Sequence, residues 1–232
     1  MTNFKKCHLA LAIAAAAFAG AAHADDSQPA NTVRVGAYFV HFDTSANDVS
    51  GPFTPPGINL SVDNTTTAYF GYIRHLDSHW SIEVAGGIPP NTKTYGKGPA
   101  TVGSVPFNGQ EVATAKWLSP SVLAEYSFFD PSNAFRPYIG LGFNYTKFYD
   151  RKSTAAGDAA NGGPTAISLS SSVGPAATLG LQYKINRDWD IAASYSVAEV
   201  DSNYTSNTSG IQRSTTIHFA PHAAVVAVGY SF

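Results

Sequence analysis

The chain has 232 residues, a single cysteine and a formal net charge of −2, and only 13% of its residues are charged. A surface this poor in charge lacks the basic footprint that nucleic acid demands, and Cys7, standing alone, has no partner for a disulfide or a thiolate metal centre. Glycine (20), phenylalanine (14) and tyrosine (12) are abundant while there is one methionine, a balance that favours strands over helices.

In chain order, the first segment reads as a secretory signal. Lys5 and Lys6 form a positive start, Leu9 to Gly20 a short apolar run, and Ala22-His23-Ala24 a small-x-small cleavage site before Asp25. Residues 1–24 are expected to be removed, leaving 25–232 as one domain. Cys7 precedes the apolar run, the wrong place for a lipoprotein acceptor. No stretch approaches the roughly eighteen apolar residues of a spanning helix.

Alternation with a period of two, the signature of strands, then recurs eight times. Val33, Val35, Ala37 and Phe39 alternate with Arg34, Gly36 and Tyr38, and a more polar run over residues 60–73 ends in Ala68, Phe70 and Tyr72. Trp80, Ile82 and Val84 oppose Ser81, Glu83 and Ala85 in the third run. Leu118, Pro120, Val122, Ala124, Tyr126 and Phe128 oppose Ser119, Ser121 and Glu125 in the fourth. The fifth sets Ile139, Leu141, Phe143 and Tyr145 against Tyr138, Gly140, Gly142 and Asn144. The sixth covers residues 173–185 and the seventh 189–197. The last runs from Ala224 to Phe232, with Val226, Val228, Tyr230 and Phe232 on one face and small residues on the other.

The connections alternate in length. Arg74 to His79, Asp130 to Ala134 and Ile185 to Asp188 are short, whereas 43–59, 89–111, 150–168 and 199–216 are long and polar. Short turns at one rim and long loops at the other describe an all-β, eight-stranded antiparallel transmembrane β-barrel with short periplasmic turns and long extracellular loops. A soluble lipocalin-like barrel shares this strand parity. The small, glycine-rich opposite face and the terminal phenylalanine weigh against it. Tyr230 and Phe232 resemble the closing strand of Gram-negative outer-membrane barrels, and the resemblance implies that they signal to the barrel assembly machinery.

Three further segments carry a family resemblance. Residues 115–126 (AKWLSPSVLAEY) look like the fourth strand of the OmpW family, which usually has a Pro-Pro pair there; residues 135–146 (FRPYIGLGFNYT) are similar to its most recognisable stretch; Ile185 to Trp189 match a short turn before its seventh strand. The resemblance implies a monomeric barrel in the outer membrane of a Gram-negative bacterium, embedded in its lipids and admitting small hydrophobic molecules passively. Family members include proteins associated with alkane uptake, stress-responsive proteins and bacteriocin receptors. A structural or receptor role without cargo therefore stays open.

Eight strands leave a lumen that side chains can fill. Arg34, Glu83, Glu125, Arg136, Lys184 and Asp190 share the inward parity near the short turns, and pairing them would make a closed floor, because unpaired charges in a narrow lumen are costly. Towards the loops the inward row is small: Ala85, Gly87, Gly174, Ala176, Ser194 and Ser196. A vestibule over a floor follows, with no aqueous exit below. Proline lacks the ladder donor, so Pro89 and Pro90 after the third strand, and Pro120 in the fourth, mark an expected weak point through which a solute leaves sideways; Pro175 and Pro221 are expected to interrupt the sixth and eighth.

Other features carry less. His218 and His222 share a strand face but sit about 13 Å apart, and His75 and His79 flank a turn, so no metal or other cofactor is expected. No Ser, His and acid spacing points to an enzyme. Four sequon matches, beginning at Asn64, Asn144, Asn203 and Asn207, are incidental in a bacterial barrel. The segment Gly51 to Gly57 reads as a solvated loop with the alternative of gating the mouth.

Overall fold

Among the described residues, 29–232, of the computed structural model, the alternating pattern resolves into seventeen strands and one short helix. The segment expected to be cleaved, 1–24, lies outside the described residues. First come β1 (Asn31–Phe42), β2 (Ser45–Ala46), β3 (Asn59–Val62), β4 (Thr65–His75), β5 (Trp80–Gly87) and β6 (Asn91–Lys97). A small hairpin of β7 (Thr101–Val102) and β8 (Val105–Pro106) follows, then β9 (Glu111–Leu118), β10 (Ser121–Ser127), the long β11 (Phe135–Ser153) and helix α1 (Ala155–Asn161). β12 (Thr165–Leu169), β13 (Ser172–Lys184), β14 (Trp189–Ala198), β15 (Asp201–Thr208), β16 (Ile211–His218) and β17 (Pro221–Ser231) complete the order.

Eight strands pair antiparallel in the order β10-β5-β4-β1-β17-β14-β13-β11, and β10 pairs again with β11, so the sheet closes on itself. The first and last strands are neighbours, in register from Thr32↔Ser231 to Phe42↔Pro221. Two of the short turns use the same device: a side-chain oxygen takes the backbone N–H groups that the reversing chain cannot pair. Asp77 accepts from His79 and Trp80 at 2.8 Å, and Asn186 accepts from Asp188 and Trp189 at 2.9 Å.

The faces decide the environment. Leu141 (70% exposed), Val173 (71%) and Phe143 (67%) point outward with Val35, Phe70, Leu179 and Val226, while Arg34, Glu83, Glu125 and Asp190 are buried inside. An apolar wall around a polar interior is the inverse of a soluble barrel, and water would not tolerate so continuous an apolar band. Near the short turns the outward side chains become a belt of touching aromatics, Trp80 with Tyr126 at 5.1 Å, Phe135 with Tyr183 at 4.7 Å and Trp189 with Tyr230 at 5.0 Å between ring centroids, as at a membrane interface.

The long polar segments differ from the loops expected of them. β3, β6, β9 and the upper half of β11 extend the barrel wall above the membrane-facing band, and β12, β15, β16 and β2 form a separate four-stranded sheet. Alternation explains it: in β15 Ser202, Tyr204, Ser206 and Thr208 are buried while Asn203 and Asn207 are exposed. Hydroxyl residues that satisfy each other suit a strand covered on one face. Between these sheets lies an apolar core that includes Val40, Ile58, Leu60, Phe107, Trp117, Phe148, Tyr204 and Phe219. Smaller differences follow the same rule. The second run divides at 63–64 into β3 and β4, Pro221 begins β17 instead of interrupting it, and Pro175 sits inside β13 opposite Phe143.

Candidate functional site

The six charged residues expected to form a floor occupy the short-turn half, but they do not pair with one another as a set. Arg34 on β1 meets Asp190 on β14, Nε to Oδ1 at 3.3 Å, with both side chains almost fully buried. The face of the Tyr138 ring lies 5.6 Å from the Arg34 guanidinium carbon. Glu83 accepts a short hydrogen bond from the Tyr69 hydroxyl, and Glu125 accepts one from Ser81 at 3.5 Å. Arg136 and Lys184 go elsewhere. Arg136 donates to the carbonyls of Ser78 (2.6 Å), Phe129 and Phe128, and Lys184 to the carbonyl of Pro131 (2.6 Å). These two therefore fasten the turns, whose exposed carbonyls lie within reach of long side chains.

Sequence reasoning passed over Tyr69, Ser81 and Tyr138 as members of this layer. Their parity was the available signal, since each alternates with outward residues. The inward glycines make the layer possible. An added methyl group would lie 2.6 Å from the Tyr69 hydroxyl at Gly71, 2.3 Å from the Tyr138 ring at Gly180 and 2.5 Å from an Asp190 carboxylate oxygen at Gly229. Small and large residues thus interdigitate across the lumen.

Above the floor is a cavity of about 1200 Å³ counted with its open mouth. Of the small residues expected to line it, Ala85, Ala176, Ser194 and Ser196 do so; Gly87 and Gly174 do not. The rest of the wall is apolar and bulkier than expected: Val40, Phe42, Trp117, Phe148, Ile217 and Phe219. Their strands continue upward in the same parity, so Phe42 and Trp117 were readable as inward, whereas Ile217 and Phe219 fall between the expected 199–216 loop and the last run. Glu83 and Tyr69 close the bottom.

The wall is unpaired along the seam between β5–β6 and β9–β10. β5 pairs with β10 only as far as Ala85↔Ser121, and β6 pairs with β9 from Asn91↔Lys116 upward. Between them, no ladder pair joins 86–90 to 117–120. Ile88 spends its N–H on the Ala68 carbonyl of β4 at 3.0 Å, and Pro89 and Pro90 have none to give. The two edges still touch, an added methyl at Gly86 coming 3.6 Å from the Pro120 Cα. Gly86, Thr92, Trp117 and Ser119 border the cavity on this side.

Pro120 acts differently from the expectation. Its carbonyl accepts from the Tyr145 N–H of β11 at 2.9 Å, and a strand residue directs its N–H and carbonyl to the same neighbour. The donor it lacks therefore faces β11 and not the seam. On the β11 side Asn144 adds side-chain bonds across the same joint: its amide nitrogen reaches the Ser119 and Pro120 carbonyls at 3.3 Å and the Ser119 and Ser121 hydroxyls at 2.9 and 3.0 Å. Thr146 and Ser119 donate back to its oxygen. Sequence reasoning missed Asn144, whose inward parity beside Ser121 was the only signal. The wall at Pro120 is thus stitched on one side and open on the other.

The histidines are distributed among separate partners. His75 bonds Thr32 and His79 the Ser127 carbonyl, each at 2.9 Å; His218 bonds Asp201 at 2.8 Å and His222 the Tyr195 hydroxyl at 2.7 Å. Tyr230 and Phe232 stack outward, 6.3 Å between centroids, and Phe232 exchanges backbone hydrogen bonds with Asn31.

The OmpW family model matches residues 30–232. Outer membrane protein W of Salmonella typhimurium is 34% identical over 122 residues, 53% of this chain and 57% of that protein, so the match spans little more than half the relative's length. The dibenzothiophene metabolism operon protein PahQ of Pseudomonas aeruginosa is 28% identical over 163 residues, 69% of each chain. The crystal structure of the outer membrane protein OprG from Pseudomonas aeruginosa aligns with a TM-score of 0.79 at 24% identity, covering 89% of this chain and 97% of that one. With a closed eight-stranded wall turned apolar side out and a family match across nearly the whole barrel, the chain belongs to the OmpW family and is a β-barrel of the Gram-negative outer membrane.

Proposed function

We propose that the barrel is a passive conduit for small hydrophobic molecules. A solute enters from the loop end, collects in the apolar vestibule, meets the polar floor and leaves sideways into the membrane between β5–β6 and β9–β10. One observation carries this reading: the cavity is apolar above, closed by charge below, and bordered by a stretch of wall where the backbone ladder is interrupted and two prolines offer no donor. Transfer of an apolar solute into lipid is downhill by about 25 cal/mol per Å² of apolar surface removed from water, so no energy source is needed. Separating the seam breaks side-chain packing alone. PahQ supports the class of cargo, since its name ties it to metabolism of dibenzothiophene, a fused apolar aromatic.

A reversible lock tests the exit. The chain's lone cysteine, Cys7, is in the segment expected to be cleaved, so a Gly86→Cys, Pro120→Cys pair introduces one disulfide across edges already in contact. Oxidised cells should take up alkanes, terpenes and small aromatics more slowly than cells with either single variant at equal surface abundance, and a membrane-impermeant reductant should restore the rate. Unchanged uptake with the disulfide formed would remove the lateral route. Equal uptake by cells with and without the wild-type barrel would remove the conduit itself and leave a structural or receptor role.

A further inference from the structure

A second cleft lies between the two loop sheets, above the vestibule. It holds about 850 Å³ counted with its mouth. Val49, Ile58, Leu60, Phe107, Val112 and Tyr204 supply an apolar wall, and Arg213 of β16 is its one cationic residue. Arg213 is 9% exposed. Its Nε donates to the Pro52 carbonyl and its Nη1 to the Asn161 Oδ1, both at 3.2 Å. Both acceptors are neutral. Among the described residues the ion pairs involve Arg34, Lys93, Lys116, Lys152 and His218, and Arg213 takes part in none of them.

A guanidinium has five N–H donors, and burying its charge without an anion is unfavourable. Among the described residues Nη2 donates to no protein atom, and it is not fully occluded. A planar fork with three free N–H groups, one on Nη1 and two on Nη2, matches a carboxylate. One cation balances one negative charge, which favours a monocarboxylate over a phosphate dianion. Hydroxyls of Thr54, Thr101 and Ser206 line the same cleft and can hydrogen-bond the remaining oxygen lone pairs.

We propose that this cleft is an outer binding site for a monocarboxylate with an apolar body, its head on Arg213 and its body along Ile58, Leu60, Phe107, Val112 and Tyr204. Tyr204 borders both this cleft and the vestibule, which places the site directly above the inner cavity. The site is independent of the lateral route and does not require it.

Direct binding tests it without any transport assay. Decanoate and decanamide, equal in chain length and different in charge, are titrated calorimetrically into the purified full barrel in nanodiscs, with protein-free nanodiscs subtracted. The wild-type barrel should bind decanoate at least tenfold tighter than decanamide, and added salt should narrow the gap. Arg213→Gln should weaken decanoate at least tenfold and leave decanamide unchanged; Arg213→Lys should recover part of the preference. Equal binding of the two probes by the wild type overturns the proposal with no variant needed. So does an equal loss of both probes in Arg213→Gln, which would make Arg213 a pin between the 51–57 loop and α1 and nothing more.

Discussion

Arg34 is the hub of the lower lumen, touching Asp190 directly with Tyr138 over its guanidinium, and Glu83 and Glu125 complete the same layer. Removing one member of a buried ion pair costs about 3–5 kcal/mol, because the survivor keeps its charge without compensation. Arg34→Met should therefore lower markedly the temperature at which the compact, heat-modifiable band is lost on electrophoresis. Gly180→Ala should do the same by a different cause, since its methyl group would meet the Tyr138 ring at 2.3 Å and evict it from the guanidinium. At the rim, the His79 and Trp80 amides hold the Asp77 carboxyl below the usual carboxylate range. A depressed acid stabilises the fold above its unfolded pKa and loses that contribution as pH falls through the folded value. The stability difference between wild type and Asp77→Ala should accordingly be present at neutral pH and vanish in acid, below the ordinary Asp range, as measured by urea unfolding across pH.

Strands three and four are where element geometry bears on transport, and the prolines there separate into two kinds. Pro120→Val returns a donor to the Tyr145 carbonyl on β11, a net gain of about 1 kcal/mol or less, so thermal stability should hold or rise with uptake unchanged. Pro89→Val with Pro90→Val returns donors to the strand bordering the seam and should slow uptake at equal surface abundance; the reverse ranking would reassign the weak point to Pro120. Asn144→Leu takes a donor from the Ser119 and Pro120 carbonyls and from the Ser119 and Ser121 hydroxyls, of which the Pro120 carbonyl keeps the Tyr145 N–H, and should appear as lower thermal stability with faster amide exchange at Tyr145. The strands themselves were legible, because a wall facing lipid on one side must alternate, and Val33 to Phe39 or Ile139 to Tyr145 do so plainly. The loop strands were not. β15 and β16 are built of Ser, Thr and Asn whose burial depends on a sheet assembled from distant segments, and nothing local distinguishes such a run from a solvated loop. For the same reason the charged floor was legible as a set of inward positions but not as a set of partners: Arg136 and Lys184 are long enough to leave their layer for the turn carbonyls.

At the scale of the molecule, we propose that the floor and the interdigitating glycines close the short-turn half to water. The purified barrel should accordingly show small or no steady conductance in planar bilayers. Tyr69→Ala with Glu83→Ala, which removes the lid at the base of the vestibule, should raise it; large openings in the wild type would mean the floor is not closed. The pairing of β1 with β17 has a separate consequence. Because Asn31 and Phe232 exchange backbone hydrogen bonds and Thr32 meets Ser231 at 2.8 Å, the wall is topologically a ring in which the most distant parts of the sequence must meet last, after every local hairpin has formed, and two raw edges persist until then. A circular permutant cut in the 185–188 turn and joined across residues 232 and 31 would keep every ladder pair while carrying Tyr230 and Phe232 into the chain interior. It should refold in detergent as the parent does; if Phe232 acts as an assembly signal by virtue of being terminal, the same permutant should fail to reach the outer membrane in cells.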